Sequence, residues 1–182
     1  MTAILVHGDH ISCSRVGGGI RRESSRLREH AQCLEDAARE LAAGEGPDAA
    51  AARASCVASL GVLRAAADLL DDAGAALQRY ATNLAEGHEL GRRAERRVQS
   101  AGLFLDGTRV IEPWGPAGAN ESELRRALVP EVQARVDLAT AHVGRARGRL
   151  RREMARLSQG FGGTASSGAE PSSSAASSST TP

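Results

Sequence analysis

The sequence predicts an all-α protein: an antiparallel helical hairpin extended to a three-helix bundle, with a small β-hairpin between helices two and three and a disordered C-terminal tail. Three observations carry this. Large and small residues recur at steps of three and four in three long segments, the period of helices packed along one stripe. Gly44, Gly46 and Pro47 separate the first two segments. The aromatic residues are only Tyr80, Phe104, Trp114 and Phe161, so any core is thin and must be built by close approach of backbones, which helices achieve better than sandwiches.

With 182 residues, the chain has room for one domain, placed at 1–158, ahead of a Ser/Thr/Gly-rich tail at 159–182. In the first helix, about 9–43, Ile20, Leu27, Leu34 and Leu41 recur every seventh residue, with Ser24, Ala31 and Ala38 between them. Asp9 is placed to cap it. Gly17, Gly18 and Gly19 predict fraying or a kink, because each Gly costs about 1 kcal/mol relative to Ala inside a helix. Pro47 suits a first helical turn, and the second helix, about 48–100, repeats the pattern with Leu63, Leu70, Leu77 and Leu84 on one row and Leu60, Ala67, Gly74 and Ala81 on the other. At ~1.5 Å per residue the two helices measure about 50 and 80 Å. The overhang, and a stretch from Leu60 to Leu77 that is apolar on two sides, call for a third helix as second neighbour. Beyond Leu84 the second helix turns polar and keeps only a narrow stripe.

Between helices two and three, AGLFLDGTRVIEPWGP carries Asp106-Gly107 between two apolar runs, a type I′ hairpin signal at about 102–112. An isolated hairpin is marginal in water, so Phe104, Val110 and Trp114 are expected to press on the adjoining helix ends. Asn120 with Glu123 resembles a capping box opening a third helix at about 121–158, whose seam runs through Val129, Val132, Val136, Ala139, Val143, Ala146, Leu150 and Leu157. Pro130 kinks its first turns or marks its start. From Gln159 the composition offers almost nothing to bury.

The second helix closes with LQRYATNLAEGHELGRRAE, Leu77 to Glu95. With His7-Gly8-Asp9 opening the first helix and the Gly46-Pro47 turn followed by an alanine-rich run, this stretch resembles the Trp-x-Gly helical-hairpin proteins of the type VII (ESX) secretion system, typically actinobacterial. The resemblance covers roughly residues 5–100. It implies a helical hairpin working with a paired protein, and it singles out Tyr80, Leu84 and Glu86 as the family-like motif. Two departures are visible: Gly44 stands where the family has Trp, and Leu84 stands where its export motif places an acid four residues after Tyr80.

The remaining chemistry is sparse. His7, His10 and Cys13 are spaced at threes, which drifts around a helix and does not make a metal set; His30, His88 and His142 are isolated. There is no G-x-S-x-G elbow, P-loop or paired-carboxylate signature, so neither catalysis nor a cofactor is predicted. Every basic side chain is Arg and the net charge is +1, which argues against nucleic acid as a partner. The run Arg145 to Arg156 is expected to lay Arg145, Arg149, Arg152 and Arg156 against Asp68, Asp71 and Asp72. Cys13, Cys33 and Cys56 are an odd set without CxxC; Cys33 and Cys56 fall at one level of the hairpin but pair only if the helices approach more closely than usual.

The N-terminus lacks a basic region and an adequate apolar run for a cleavable signal, and no run approaches the ~18 apolar residues of a membrane span. The predicted role is therefore a helical interaction protein acting by helix-face packing with itself or a related helical-hairpin protein, secreted without a cleavable signal peptide or cytoplasmic. A cytoplasmic helical scaffold or adaptor is the alternative, with a basic nucleic-acid-associated protein third.

Overall fold

The computed structural model describes residues 5–41, 44, 46–113 and 118–166, with the backbone alone for Ala119 and 161–166. Its order is α1 (His10–Leu41), α2 (Pro47–Ser100), β1 (Phe104–Asp106), β2 (Arg109–Ile111) and α3 (Ala119–Ser166). Helix α2 is the central member. Both α1 and α3 pack antiparallel along it, and they do not pack against each other over any length.

Helix α1 starts where a capping acid permits. The Asp9 carboxylate accepts the Ile11 N–H at 2.9 Å and the Ser12 hydroxyl, which satisfies part of the orphaned first turn. The expected fraying at the glycine triplet does not occur: α1 runs unbroken through Gly17, Gly18 and Gly19. Gly17 is buried because it is where α1 crosses α2. A Cβ built on Gly74 would lie 2.7 Å from the Gly17 carbonyl and 2.5 Å from Arg21 Cγ, and one on Gly17 would lie 2.8 Å from the Gly74 carbonyl. Close backbone approach offsets the poor helix propensity of glycine there.

The same economy of volume continues along the seam. The buried members of α1 are Gly17, Ser24 and Ala31, and opposite them Leu60, Ala67, Gly74 and Ala81 are buried on α2. Thus the small row makes the contact, while Ile20, Leu27, Leu34, Leu63, Leu70 and Leu77 flank it half-buried. Leu41 is exposed. Ser24, buried completely, donates its hydroxyl to the Ala67 carbonyl at 2.7 Å, so its burial leaves no orphan.

The largest apolar cluster lies at the opposite end from the helical turn. Leu5, Val6, Leu84, Val98, Leu103, Val110, Val132, Val136 and Val143 meet there. The narrow stripe that α2 keeps after Leu84 is buried, with Gly87, Gly91, Ala94 and Val98 inside. Alternate glycines make room: a Cβ on Gly87 would meet Val143 Cγ2 at 2.4 Å, and one on Gly91 would meet Val6 at 3.3 Å. Helix α2 ends in a Schellman motif, with Leu103 N–H on the Val98 carbonyl and Gly102 N–H on the Gln99 carbonyl, both at 3.0 Å, and Gly102 at φ 66°.

The β-hairpin pairs Phe104 with Ile111, Leu105 with Val110 and Asp106 with Arg109. Its loop residues are therefore Gly107 and Thr108, and positive φ occurs only at Gly107, the type II′ pattern rather than the I′ turn centred on Asp106-Gly107. Helix α3 starts at Ala119, with the Glu121 and Ser122 N–H groups on the Gly118 carbonyl, so Asn120 lies inside the first turn instead of capping it. It passes through Pro130 and continues to Ser166, beyond the expected end at 158. Helical backbone thus replaces the first residues of the expected tail; its remainder, 167–182, lies outside the described residues.

The crossing predicts a contrast between two glycines. Gly74→Ala should lower stability by about 1–3 kcal/mol through overpacking, whereas Gly61→Ala, where a Cβ meets nothing within 4 Å, should raise it by up to ~1 kcal/mol. Urea unfolding followed by circular dichroism measures both.

Candidate interaction surfaces

Among the described residues of the helical turn, the Gly44 N–H donates to the Leu41 carbonyl at 3.2 Å. Gly46 adopts φ 116° as the α2 N-cap without a side-chain capping bond, and Pro47 follows in the first turn. Gly44 accepts a 3.3 Å bond from Arg53 Nη1. Gly44, Gly46 and Pro47 are all exposed. The next turns of α2 are open too: Val57 is 65% and Val62 58% exposed.

The family-like residues do not converge on one site. Leu84 is 1% exposed in the core, against Gly8. Tyr80 faces α3, half-buried in a shallow cleft of about 100 Å³ with Asn83, Arg149 and Leu150. Glu86 is exposed, 3.5 Å from His142 Nε2. Of the flap residues, Val110 is buried and Phe104 is 58% exposed, so Phe104 does not press on the helices as expected. Val110 does, and its strand partner Leu105 takes the place of Phe104, because the strand alternation turns Leu105 inward and Phe104 outward. Asp106 and Gly107 are exposed at the tip; Trp114 lies outside the described residues. The flap is held instead by Gln133, whose Oε1 accepts the Val110 N–H at 2.7 Å and whose Nε2 donates to the Thr108 carbonyl at 2.9 Å.

Charge pairing departs from expectation as well. Asp71 and Asp68 pair with Arg21 and Arg28 of α1, both at 3.0 Å, rather than with α3. The α2–α3 groove is crossed by Arg79–Glu153 at 3.0 Å, Arg97–Glu131 at 3.3 Å and a bond from Arg149 to Asn83 at 2.9 Å. The reason is register: α1 occupies the side of α2 that carries those aspartates, and α3 lies around the helix from them. Exposed pairs of this sort fix orientation more than stability.

Cys13, Cys33 and Cys56 are free thiols. His88 sits near the seam's end, its Nε2 2.9 Å from the Gly8 carbonyl. Among the described residues no three His, Cys, Asp or Glu side chains are grouped to hold a metal ion. Helix α2 contains an 18-residue window of mean hydropathy 1.2, of which 6% is buried, so by length and composition alone one helix reaches the threshold of a membrane span. Alanines raise that mean, and Arg53 and Arg64 interrupt the apolar run.

The missed structural element is the N-terminal strap. Leu5 and Val6 are buried and the Leu5 N–H bonds Glu95 Oε1 at 3.2 Å; an apolar triplet ahead of His7 was its only sign. Compared with family models, curated proteins and solved structures, the chain has no match.

Two predictions follow from the polar anchors. Gln133→Ala should release the flap and lower stability by about 1–3 kcal/mol, read as faster hydrogen exchange at Val110. Asp9 is held below the usual carboxylate range by the Ser12 hydroxyl, Glu131 by Arg97 and Glu89 by Arg92. Carboxyls whose folded values are lowered contribute above their unfolded values, 3.8 for Asp and 4.5 for Glu, and lose that contribution as pH falls through the folded ones. The thermal midpoint should hold steady down to about pH 5 and then decline, with a shallower decline in Glu131→Gln.

Proposed function

We propose that this chain is a helical interaction protein that acts by packing helix faces against a partner, either a second copy or a related helical-hairpin protein, in the manner of type VII secretion substrates or their partners. The observation that supports this reading is the unfinished face of α2. Leu69 on that face touches Gly160 of α3; closer to the turn, Ala51, Ala54, Ala58 and Val62 follow at helical spacing on the same side, and all four are exposed. Helix α1 covers only the opposite side, through Leu60 and Ala67.

A helix apolar on two sides is built to lie between two neighbours, and here the residues of the second side are exposed. The face consists of small residues, so a partner helix could approach it as closely as α1 approaches Gly74. It holds no nucleophile, base or ligand set that would point to catalysis. A scaffold or adaptor confined to the cytoplasm would use the same face, and the sequence features that tilt the reading toward secretion are the Tyr80 region and the Gly46-Pro47 turn.

Light scattering on the purified chain, alone and co-expressed with the products of adjacent genes, tests this. A dimer or a stoichiometric complex is expected, weakened about tenfold or more by Val62→Glu with helicity unchanged. A chain that stays monomeric in both settings, or a complex indifferent to Val62→Glu, contradicts it.

A further inference from the structure

We propose that the outward face of α3 docks an amphipathic helix from a different protein, apolar along one half and acidic along the other; this rests on the reading of the chain as a helix-packing protein. On α3 the inward residues Val132, Val136, Ala139, Val143 and Ala146 are buried. On the other side Leu124, Glu131, Leu138, Arg145 and Arg152 fall on one line at multiples of seven, with alanine or glycine between them, and all five are exposed; Glu131 is held by Arg97 and Arg135. Such spacing is a second packing stripe, and among the described residues no element packs on it. Leu124 and Leu138 are 68% and 54% exposed.

The second half of this stripe is cationic in an unusual way. Arg79, Arg97 and Arg135 around it are each held by a carboxylate. By contrast Arg145, Arg147, Arg151, Arg152 and Arg156 have no ion-pair or hydrogen-bond partner among the described residues. These guanidinium groups lie along about 17 Å of helix, and their charge is not neutralised within the fold.

Charge complementarity selects the occupant. A second copy pairing α3 to α3 is disfavoured, since a parallel arrangement opposes Arg to Arg and an antiparallel one opposes Arg to Leu. The chain's own segment 167–182, SGAEPSSSAASSSTTP, carries Glu170 as its single acid and no Leu, Val or Ile, so it fits neither half. Duplex nucleic acid would meet the arginines but leave Leu124 and Leu138 uncovered, and would bring phosphates toward the exposed carboxylates of Glu131 and Asp137. An acidic-ended helix satisfies both halves at once: apolar contact over Leu124 and Leu138, and carboxylates opposite Arg145, Arg152 and Arg156.

The test titrates the full-length protein against three labelled probes by fluorescence anisotropy: a synthetic helix of about 35 residues with a Leu/Ala row throughout and Glu flanking it in one half, the same helix with Lys in place of Glu, and a DNA duplex of about 20 base pairs. Binding of the Glu helix alone is expected, falling with salt. The double variant R145E/R152E should weaken it about tenfold or more and admit the Lys helix, and Leu138→Glu should weaken it as well, with circular dichroism unchanged in all. The proposal is overturned if the Glu helix does not bind, if R145E/R152E binds it as well as the parent, or if the duplex binds instead and is lost in that variant. Val62→Glu lies on α2, away from this stripe, so a complex still sensitive to Val62→Glu alongside a negative peptide result rejects this docking face while leaving the general reading intact.

Discussion

Two helix backbones touch at Gly17 and Gly74, and the rest of the architecture is arranged around that contact. With so few aromatic residues, nothing large is present to fill the space between helices 8 to 10 Å apart. Glycine, serine and alanine solve the problem by removing the space. Gly87 does for α3 what Gly74 does for α1, admitting Val143 where a methyl group would collide. Helix α2 is thereby gripped on two sides by neighbours that scarcely meet each other, and dispersion between closely spaced backbones replaces the bulky core that the composition cannot supply.

This grip is uneven along the molecule. At the flap end the N-terminal strap, the α2 terminus, the β-hairpin and α3 enclose the valine and leucine cluster. At the turn end α1 and α2 run on with only Leu60 buried on α2 before Ala67. A stable base thus carries an open tip, and exposed apolar residues stand on every helix and on the flap, among them Ile11, Val62, Phe104 and Leu138. That distribution suits a molecule whose helices are completed by other helices.

The helical count, the hairpin reversal and the inner seam of α3 were legible because period and turn chemistry act locally. Asp9 as cap and Pro47 as opening residue were legible for the same reason. What sequence reading missed depends on partners distant in the chain. The glycine triplet reads as weakness until Gly74 is known to lie across from it. The residues after Leu84 read as polar with a narrow stripe, but the depth of that stripe was hidden because most of its members are glycine and alanine, which weigh little in any hydrophobic count. Leu105 takes the place expected of Phe104 through a one-residue difference in where the hairpin loop sits, the kind of register choice that flips every side chain. The aspartates at 68 and 71 met α1 instead of α3 because angular position around α2, not level along it, decides a pair.

Residue-resolved native-state hydrogen exchange tests the uneven grip most directly. Amides from Ala76 to Val98 of α2 and from Val132 to Ala146 of α3 should be the slowest to exchange, opening only with global unfolding, while those from Ala50 to Val57 should exchange through local opening orders of magnitude sooner. Uniform protection along α2, or stronger protection at the turn than beside Gly87, would contradict a structure held together at its glycine crossings and left open at its tip.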